Sequence, residues 1–309
     1  RRRQIRERVY VRRGEKMNTR IIPKEYEYMA PNTLAEALDI LKGQNVRILA
    51  GGTDLVVRLK MGAEEAMETM LDIKHISELK GISTCEKGTK IGATTALADI
   101  EDCEEIINNY PALHDALIAM AAIAVRHMGT IGGNFVNASP VADTAGPVMV
   151  YNGQVHIQGK DGERAVPASE FFVGPGKSAV KPDEILTAIT LPVQPKNSGA
   201  AFFKKTRVKP DISKVSTTVY VERDGDMIKD CRIAMGAIAA KPITLPEVAK
   251  EAIGKKASAA LFAELGNKAA DAIKPIDDIR STAEYRKSVA HVMVAEAFEV
   301  AWKRAGGVL

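Results

Sequence analysis

Val46-Arg47-Ile48-Leu49-Ala50-Gly51-Gly52-Thr53-Asp54-Leu55 is a short apolar run closed by two glycines, a threonine and an aspartate. The run Val46 to Ala50 predicts a buried strand. Adjacent glycines at its end allow backbone angles closed to other residues. They also let a ligand approach the main chain, whose N–H groups can converge on an anion. A second stretch of the same chemistry is Gly129-Thr130-Ile131-Gly132-Gly133-Asn134. Neither stretch is a G-x-G-x-x-G dinucleotide fingerprint, and neither is a P-loop, since no Gly-Lys-Ser/Thr follows. A single Gly-Gly pair is most simply a tight turn. Two such pairs, each with a neighbouring Thr and a following Asp or Asn, weigh equally as turns and as a clamp on one diphosphate. In the clamp, backbone N–H groups and the hydroxyls of Thr53 and Thr130 hold the anion. Asp54 would repel a phosphate, which leaves it to cap local backbone or to meet a sugar hydroxyl.

Outward from these loops the chain reads as mixed α and β. Thr33 and Glu36 form a capping box for a helix whose apolar face is Leu34, Leu38 and Leu41, stopped by Gly43. Met70–Ile73 and Lys90–Thr94 read as strands, and Ala96–Asn108 has helical spacing. Pro111 suits a first turn, and Ala112–Val125 predicts one buried helix running almost directly into Gly129. Strand alternation returns at Val155, Ile157 and Ile185–Leu191, and Pro192–Ser198 reads as a linker. Three strands follow, Ala200–Thr206, Lys214–Glu222 and Met227–Ile238, with Asp224-Gly225 as a hairpin turn. From Leu245 the pattern is helical, closing with Thr282–Ala305.

Charge narrows the function classes. The formal net charge is +4, but residues 1–17 carry eight Lys and Arg against Glu7 and Glu15, so the remainder is slightly acidic. Nucleic-acid binding thereby loses its electrostatic footing. Residues 1–22 are set apart as a basic N-terminal tail, of which 1–16 read as upstream translated sequence, a disordered tail or a solvated arm. Arg12-Arg13 lacks the apolar segment of an export signal, and no apolar run reaches the length of a membrane span.

Cys85, Cys103 and Cys231 lie far apart without a C-x-x-C pair, which fits a reducing, cytoplasmic setting. The same spacing places no iron–sulfur cluster or zinc site on this chain. His75, His114, His127, His156 and His291 show no metal-ligand spacing. No Ser-His-Asp or Cys-His arrangement is present, so no catalytic residue is assigned. The basic run Lys204-Lys205-Thr206-Arg207-Val208-Lys209 reads first as a solvated face and second as a partner or substrate surface. Tyr10, Phe171, Phe172 and Phe202 default to core packing, with a flavin wall as the alternative.

Ala50-Gly51-Gly52-Thr53-Asp54-Leu55 together with Thr130-Ile131-Gly132-Gly133-Asn134 resembles the FAD-binding subunit or domain of the molybdenum hydroxylases. This family includes the medium subunits of xanthine dehydrogenase and carbon monoxide dehydrogenase. The start Pro31-Asn32-Thr33-Leu34-Ala35-Glu36-Ala37, the segment Asp183-Glu184-Ile185-Leu186 and Phe203-Lys204 are similar to the family too, so the resemblance runs from Tyr26 to the C-terminus.

The resemblance implies an α+β, PCMH-type FAD-binding fold over residues 23–195, with two subdomains meeting near 77. A C-terminal α+β domain of antiparallel sheet and helices would span 196–309. It implies FAD as cofactor, with Ile48, Leu49, Ala50, Gly51, Gly52, Thr53, Asp54 and Leu55 on its diphosphate and ribityl chain. Thr130, Ile131, Gly132, Gly133 and Asn134 would face the diphosphate from the other side. Asp143 matches a position that contacts FAD, Ile185 and Leu186 match apolar residues near the isoalloxazine, and Lys204 matches a lysine near the cofactor, with Lys205 one place away. His127 stands where relatives often carry Asn.

The implied function is electron transfer. A molybdenum cofactor on a large partner subunit would oxidise substrate, and two [2Fe-2S] clusters on a small partner would pass electrons to FAD here. The assembly would be a dimer of heterotrimers. Two other readings stay open: a stand-alone flavin oxidoreductase with its own substrate site, and a non-enzymatic nucleotide-binding module. Bound flavin separates the last from the others, and co-purifying partners separate the first two.

Overall fold

The structure, a computed structural model, describes residues 25–43, 45–63 and 67–309. The basic tail, including Tyr10, lies outside the described residues.

The first unit is a small α/β layer: β1 (Glu27–Met29), α1 (Leu34–Leu41), β2 (Val46–Leu49), α2 (Leu55–Lys60) and β3 (Thr69–Asp72). The three strands are parallel in the order β1-β3-β2. The capping box forms in a shifted version. Thr33 Oγ1 accepts from the Glu36 N–H at 3.2 Å, while Glu36 reaches back one residue further, to the Asn32 N–H at 3.0 Å. Ala37 and Leu41 pack on Leu71 and Ile73 of the sheet side, and that cluster extends to Ile185 in the next unit.

The second unit opens with β4 (Ile82–Cys85) and β5 (Gly88–Gly92). Six short helices follow: α3 (Leu97–Glu101), α4 (Glu104–Asn109), α5 (Pro111–Ala119), α6 (Ile123–Met128), α7 (Ile131–Val136) and α8 (Ala145–Val150). It closes with β6 (Gln154–Gly159), β7 (Gly162–Pro167), α9 (Ala168–Phe171), β8 (Phe172–Gly174), β9 (Lys177–Ser178) and β10 (Ile185–Pro192). Five antiparallel strands pair in the order β4-β5-β10-β6-β7, so β10 returns to the centre of the sheet. The helices cover this sheet with a core that includes Phe135 together with Phe171, Phe172 and Phe202, so the last three, named from the sequence, serve in packing.

One expectation fails here. The stretch 112–125 is not one helix but α5 and α6, broken at Met120-Ala121-Ala122, with Ala121 at φ 46°. The Arg126 guanidinium explains the break. It donates to the carbonyls of Met120 at 2.9 Å and Ala121 at 3.2 Å, and it makes a fork with Glu101 at 2.6 and 3.1 Å. A buried arginine with this many acceptors outweighs the helix preference of an alanine-rich segment. The predicted helix over 96–108 divides similarly, into α3 and α4.

The third unit is a meander of β11 (Ser198–Lys205), β12 (Val215–Asp224), β13 (Met227–Gly236) and β14 (Ile243–Thr244). It is backed by α10 (Pro246–Lys250), α11 (Ala259–Ala272) and α12 (Ala283–Arg304). Gly225, at φ 57°, makes the β12–β13 turn. Phe262 and Phe298 stack at 5.1 Å between α11 and α12, and Trp302 is fully buried in the same core.

Polar and aromatic contacts fix this unit against the second. Arg304 of α12 forks onto Asp115 of α5 at 2.5 and 2.9 Å, and Asp115 also accepts from the Phe202 N–H. Tyr151 lies edge-on between Tyr110 and Tyr220, and Arg232 stacks 3.7 Å above the Tyr220 ring. Among the described residues no helix is long and apolar enough to cross a membrane.

Candidate functional site

A cleft of about 450 Å³ opens where the three units meet, within the range of small-molecule sites. One wall is the turn between β2 and α2, the other is the start of α7, and the floor includes Ile185 and Leu186 of β10.

The turn after β2 carries the most telling feature. The backbone N–H groups of Gly51, Gly52, Thr53, Asp54 and Leu55 make no hydrogen bond among the described residues. All five residues line the cleft. Gly52 takes φ 73°, the left-handed conformation that glycine makes cheap. Burying such donors dry would be costly, so they suit an anionic or strongly accepting ligand.

The second loop has a different character. Most of its amides are already used: Ile131 N–H donates to Thr95 O, Gly132 N–H to Ala93 O at 2.9 Å, Gly133 N–H to Thr130 Oγ1 at 3.0 Å and Asn134 N–H to Thr130 O at 3.0 Å. The row of open backbone donors therefore belongs to the first loop, with the Thr130 N–H the second loop's remaining one among the described residues. The second loop supplies a close wall, not a nest. Gly132 lets α7 lie against Ala93, whose carbonyl would sit 2.7 Å from a Cβ there. Asn134 Oδ1 accepts from Thr144 at 2.6 Å, which orients the Asn134 amide group at the cleft.

Most of the predicted residues meet here: Ile48, Ala50 through Leu55, Thr130, Gly132 through Asn134, Asp143, Ile185, Leu186 and Lys204 all line the cleft. Leu49 and Ile131 do not. Strand alternation turns Leu49 into the core with Leu59 and Met70, and Ile131, the first residue of α7, is fully buried in the second unit's core. Asp54 precedes α2 without a side-chain capping bond, so its capping role is also corrected. Its carboxylate opens to the cleft. The surrounding walls push its pKa up, against the pull of Arg58. His127 is exposed and stands outside the cleft lining.

Beneath the cleft a buried ion pair joins the second and third units. Lys204 Nζ lies 2.6 Å from Asp143 Oδ2, with side-chain exposures of 4% and 6%. Ser213 donates to Asp143 Oδ1 at 2.7 Å, and Lys204 also donates to the Ala119 carbonyl. Burial pushes the Asp143 carboxyl up, and Lys204 and Ser213 draw it back down. Strand alternation separates the two lysines: the Lys204 side chain is buried and Lys205 is exposed.

At the floor, Glu184 takes a fork from Arg164 at 2.9 and 2.7 Å and the Lys181 N–H at 2.8 Å. Arg164 above all holds the Glu184 carboxyl below its usual range. Sequence reasoning missed several lining residues: Arg58, Met120, Ala121, Ser139, and Pro210-Asp211-Ile212. Only Arg58, one helical turn after Asp54, and the Pro-Asp turn carried a local signal. The described residues contain no group of three His, Cys, Asp or Glu placed to hold a metal.

Residues 24–194 match the family model for the FAD binding domain in molybdopterin dehydrogenase, and residues 200–301 match that for the CO dehydrogenase flavoprotein C-terminal domain. The glyceraldehyde dehydrogenase medium chain of Sulfolobus acidocaldarius is 32% identical over 278 residues, covering 90% of this chain and 98% of that one. A carbon monoxide dehydrogenase medium chain from Afipia carboxidovorans is 30% identical over 92% of this chain and 99% of its own length. Among solved structures, carbon monoxide dehydrogenase from Hydrogenophaga pseudoflava superposes with a TM-score of 0.88 at 28% identity, covering 92% and 99% of the two chains.

Proposed function

The chain belongs to the family of FAD-binding subunits of the molybdenum hydroxylases, and from that membership we propose that its cleft holds FAD between the two glycine loops. The chain is an electron-transfer subunit of an oxidoreductase complex. Its partners are a large subunit carrying the molybdenum cofactor and a small subunit carrying two [2Fe-2S] clusters. Two finer points are part of the proposal: the complex is a dimer of such heterotrimers, and it works in the cytoplasm. Bound FAD supplies a carrier that accepts electrons from the iron–sulfur partner and yields them to an acceptor, while the protein positions it and tunes it.

The observation that carries this reading is the row of unpartnered amides from Gly51 to Leu55, facing the closed wall of α7. These amides and the Thr53 hydroxyl bind the diphosphate, and the Asp54 carboxylate accepts a sugar hydroxyl. Ile48, Ile185 and Leu186 offer an apolar surface that excludes water beside an aromatic ring. The Lys204 ammonium, held by Asp143, places a fixed positive charge where it stabilises added electron density.

The test is to purify the chain within its complex and alone. The expected result is a flavin absorbance of about one FAD per chain, reduced anaerobically by substrate only when the partners are present. A chain that cannot take up FAD, or one that reduces its flavin with substrate unaided, rejects the reading.

A further inference from the structure

The buried pair of Lys204 and Asp143 has a third member. Ser213 is 1% exposed, and its hydroxyl donates to Asp143 Oδ1 at 2.7 Å, while Lys204 Nζ donates to Oδ2 at 2.6 Å. Lys204 and Asp143 line the cleft and Ser213 does not, so the serine acts on the cleft through the pair.

The contact is fixed from both sides. Lys214, the residue after Ser213, donates its N–H to the Lys205 carbonyl at 2.8 Å, and its own carbonyl accepts from Arg286 at 3.0 Å. Lys204 and Ser213 thus flank the loop between β11 and β12, and one carboxylate of the second unit takes a bond from each. Asp143 in turn precedes Thr144, whose hydroxyl donates to Asn134 Oδ1 at 2.6 Å. An ammonium has three N–H groups. Among the described residues Lys204 gives one to Asp143 and one to the Ala119 carbonyl at 3.3 Å, which leaves the third for a ligand in the cleft.

A buried carboxylate and ammonium can share one proton in two ways. Burial favours the uncharged pair of carboxylic acid and amine. A hydroxyl donating to the carboxylate favours the charged pair. Both influences act on Asp143, whose carboxyl is pushed up by burial and drawn back by Lys204 and Ser213.

Resting on the flavin reading, we infer that Ser213 is a positioning residue for electron transfer: by fixing the Asp143 carboxylate it keeps Lys204 charged and in place at the cleft, and so raises the potential at which the bound flavin takes up electrons. Without this hydroxyl, Asp143 Oδ1 has no other hydrogen bond among the described residues. The proton then passes from Lys204 Nζ to Asp143 Oδ2, an N–H bond breaking as an O–H bond forms. The positive charge at the cleft falls, and the electron-rich reduced flavin loses stabilisation.

The test is the midpoint potential of FAD in the assembled complex, from anaerobic dithionite titration against a reference dye. Ser213→Ala is expected to keep full flavin and to lower the reduced-to-oxidised ratio at a given poise about three- to tenfold, which is ~15–30 mV for a two-electron couple. Ser213→Thr, which retains a hydroxyl, should recover most of the shift. Ser213→Ala made on the Lys204→Met/Asp143→Asn background should leave that background's potential where it stands. An unchanged or raised potential in Ser213→Ala overturns the inference, even beside a lowered melting temperature, because the serine is then a staple between units and nothing more. An equal fall on the Lys204→Met/Asp143→Asn background overturns it too, since the serine would act without the pair. Wild type without bound flavin would instead strike the flavin reading.

Discussion

The carbonyl oxygen of Met128 fills the space that a Cβ on Gly51 would occupy, and the Gly129 Cα lies 2.8 Å from that same point. The two glycine loops therefore touch backbone to backbone, and Gly51 is the residue that permits it. Obstruction by main chain cannot be relieved by a rotamer change. Gly51→Ala is expected to part the loops at a cost of about 1–3 kcal/mol, which weakens FAD about 5- to 150-fold. Gly133→Ala should do less, because a Cβ there meets only the Thr130 hydroxyl, at 2.9 Å. Equilibrium titration of flavin-free protein with FAD checks the order.

Lys204 and Asp143 form a buried pair, so removing one partner leaves a charge without compensation. Lys204→Met or Asp143→Asn alone should destabilise the flavin-free chain by about 3–5 kcal/mol. The double variant should cost clearly less than the sum of the two. Urea unfolding of the four proteins measures the coupling, and strict additivity would contradict it.

Ala121 holds φ 46° at the break between α5 and α6, a conformation unfavourable for a residue with a Cβ. Ala121→Gly should leave stability unchanged or raise it by up to about 1 kcal/mol, despite glycine's usual cost in a helix. Arg126→Lys cannot keep both the Glu101 fork and the carbonyl contacts. It should lower the melting temperature and weaken FAD, since Met120 and Ala121 line the cleft. If Ala121→Gly is clearly destabilising, the break is misplaced.

Glu184 sits below its usual pKa through the Arg164 fork, the Lys181 N–H adding to it. A carboxylate with a lowered folded pKa stabilises above its unfolded pKa and loses that stabilisation as pH falls through the folded one. The advantage of wild type over Glu184→Gln should thus be complete above about pH 4.5 and vanish progressively below it. Thermal melts of both proteins from pH 7 down to pH 3 follow the difference. A gap that does not shrink as the pH falls from 4.5 to 3 contradicts the assignment.

What the sequence disclosed followed from local rules. The strand before Gly51, the capped helix at Thr33 and the Gly225 hairpin each rest on residues adjacent in the chain. What stayed hidden depends on distant partners. Nothing within 112–125 announces a break, because its cause is the Arg126 guanidinium, held in place by Glu101 of another helix. Leu49 reads as part of the binding loop, although alternation turns it into the core. The difference between the glycine loops was equally invisible. Both read as nests, yet Ala93 and Thr95, in the turn between β5 and α3, take two of the second loop's amides. Ser213 and Asp143 meet only because the β11–β12 loop and the segment between α7 and α8 converge on one cleft.

The row of free amides from Gly51 to Leu55 is the core of the account, and it is tested most directly by comparing ligands that do and do not carry a diphosphate. Flavin-free wild type and Gly51→Val should be titrated with FAD and with riboflavin, following flavin fluorescence. The expected result is tight FAD binding and weak riboflavin binding by wild type, with the preference for FAD abolished in Gly51→Val. Equal affinity of wild type for the two flavins, or an undiminished preference in the variant, would contradict the diphosphate site.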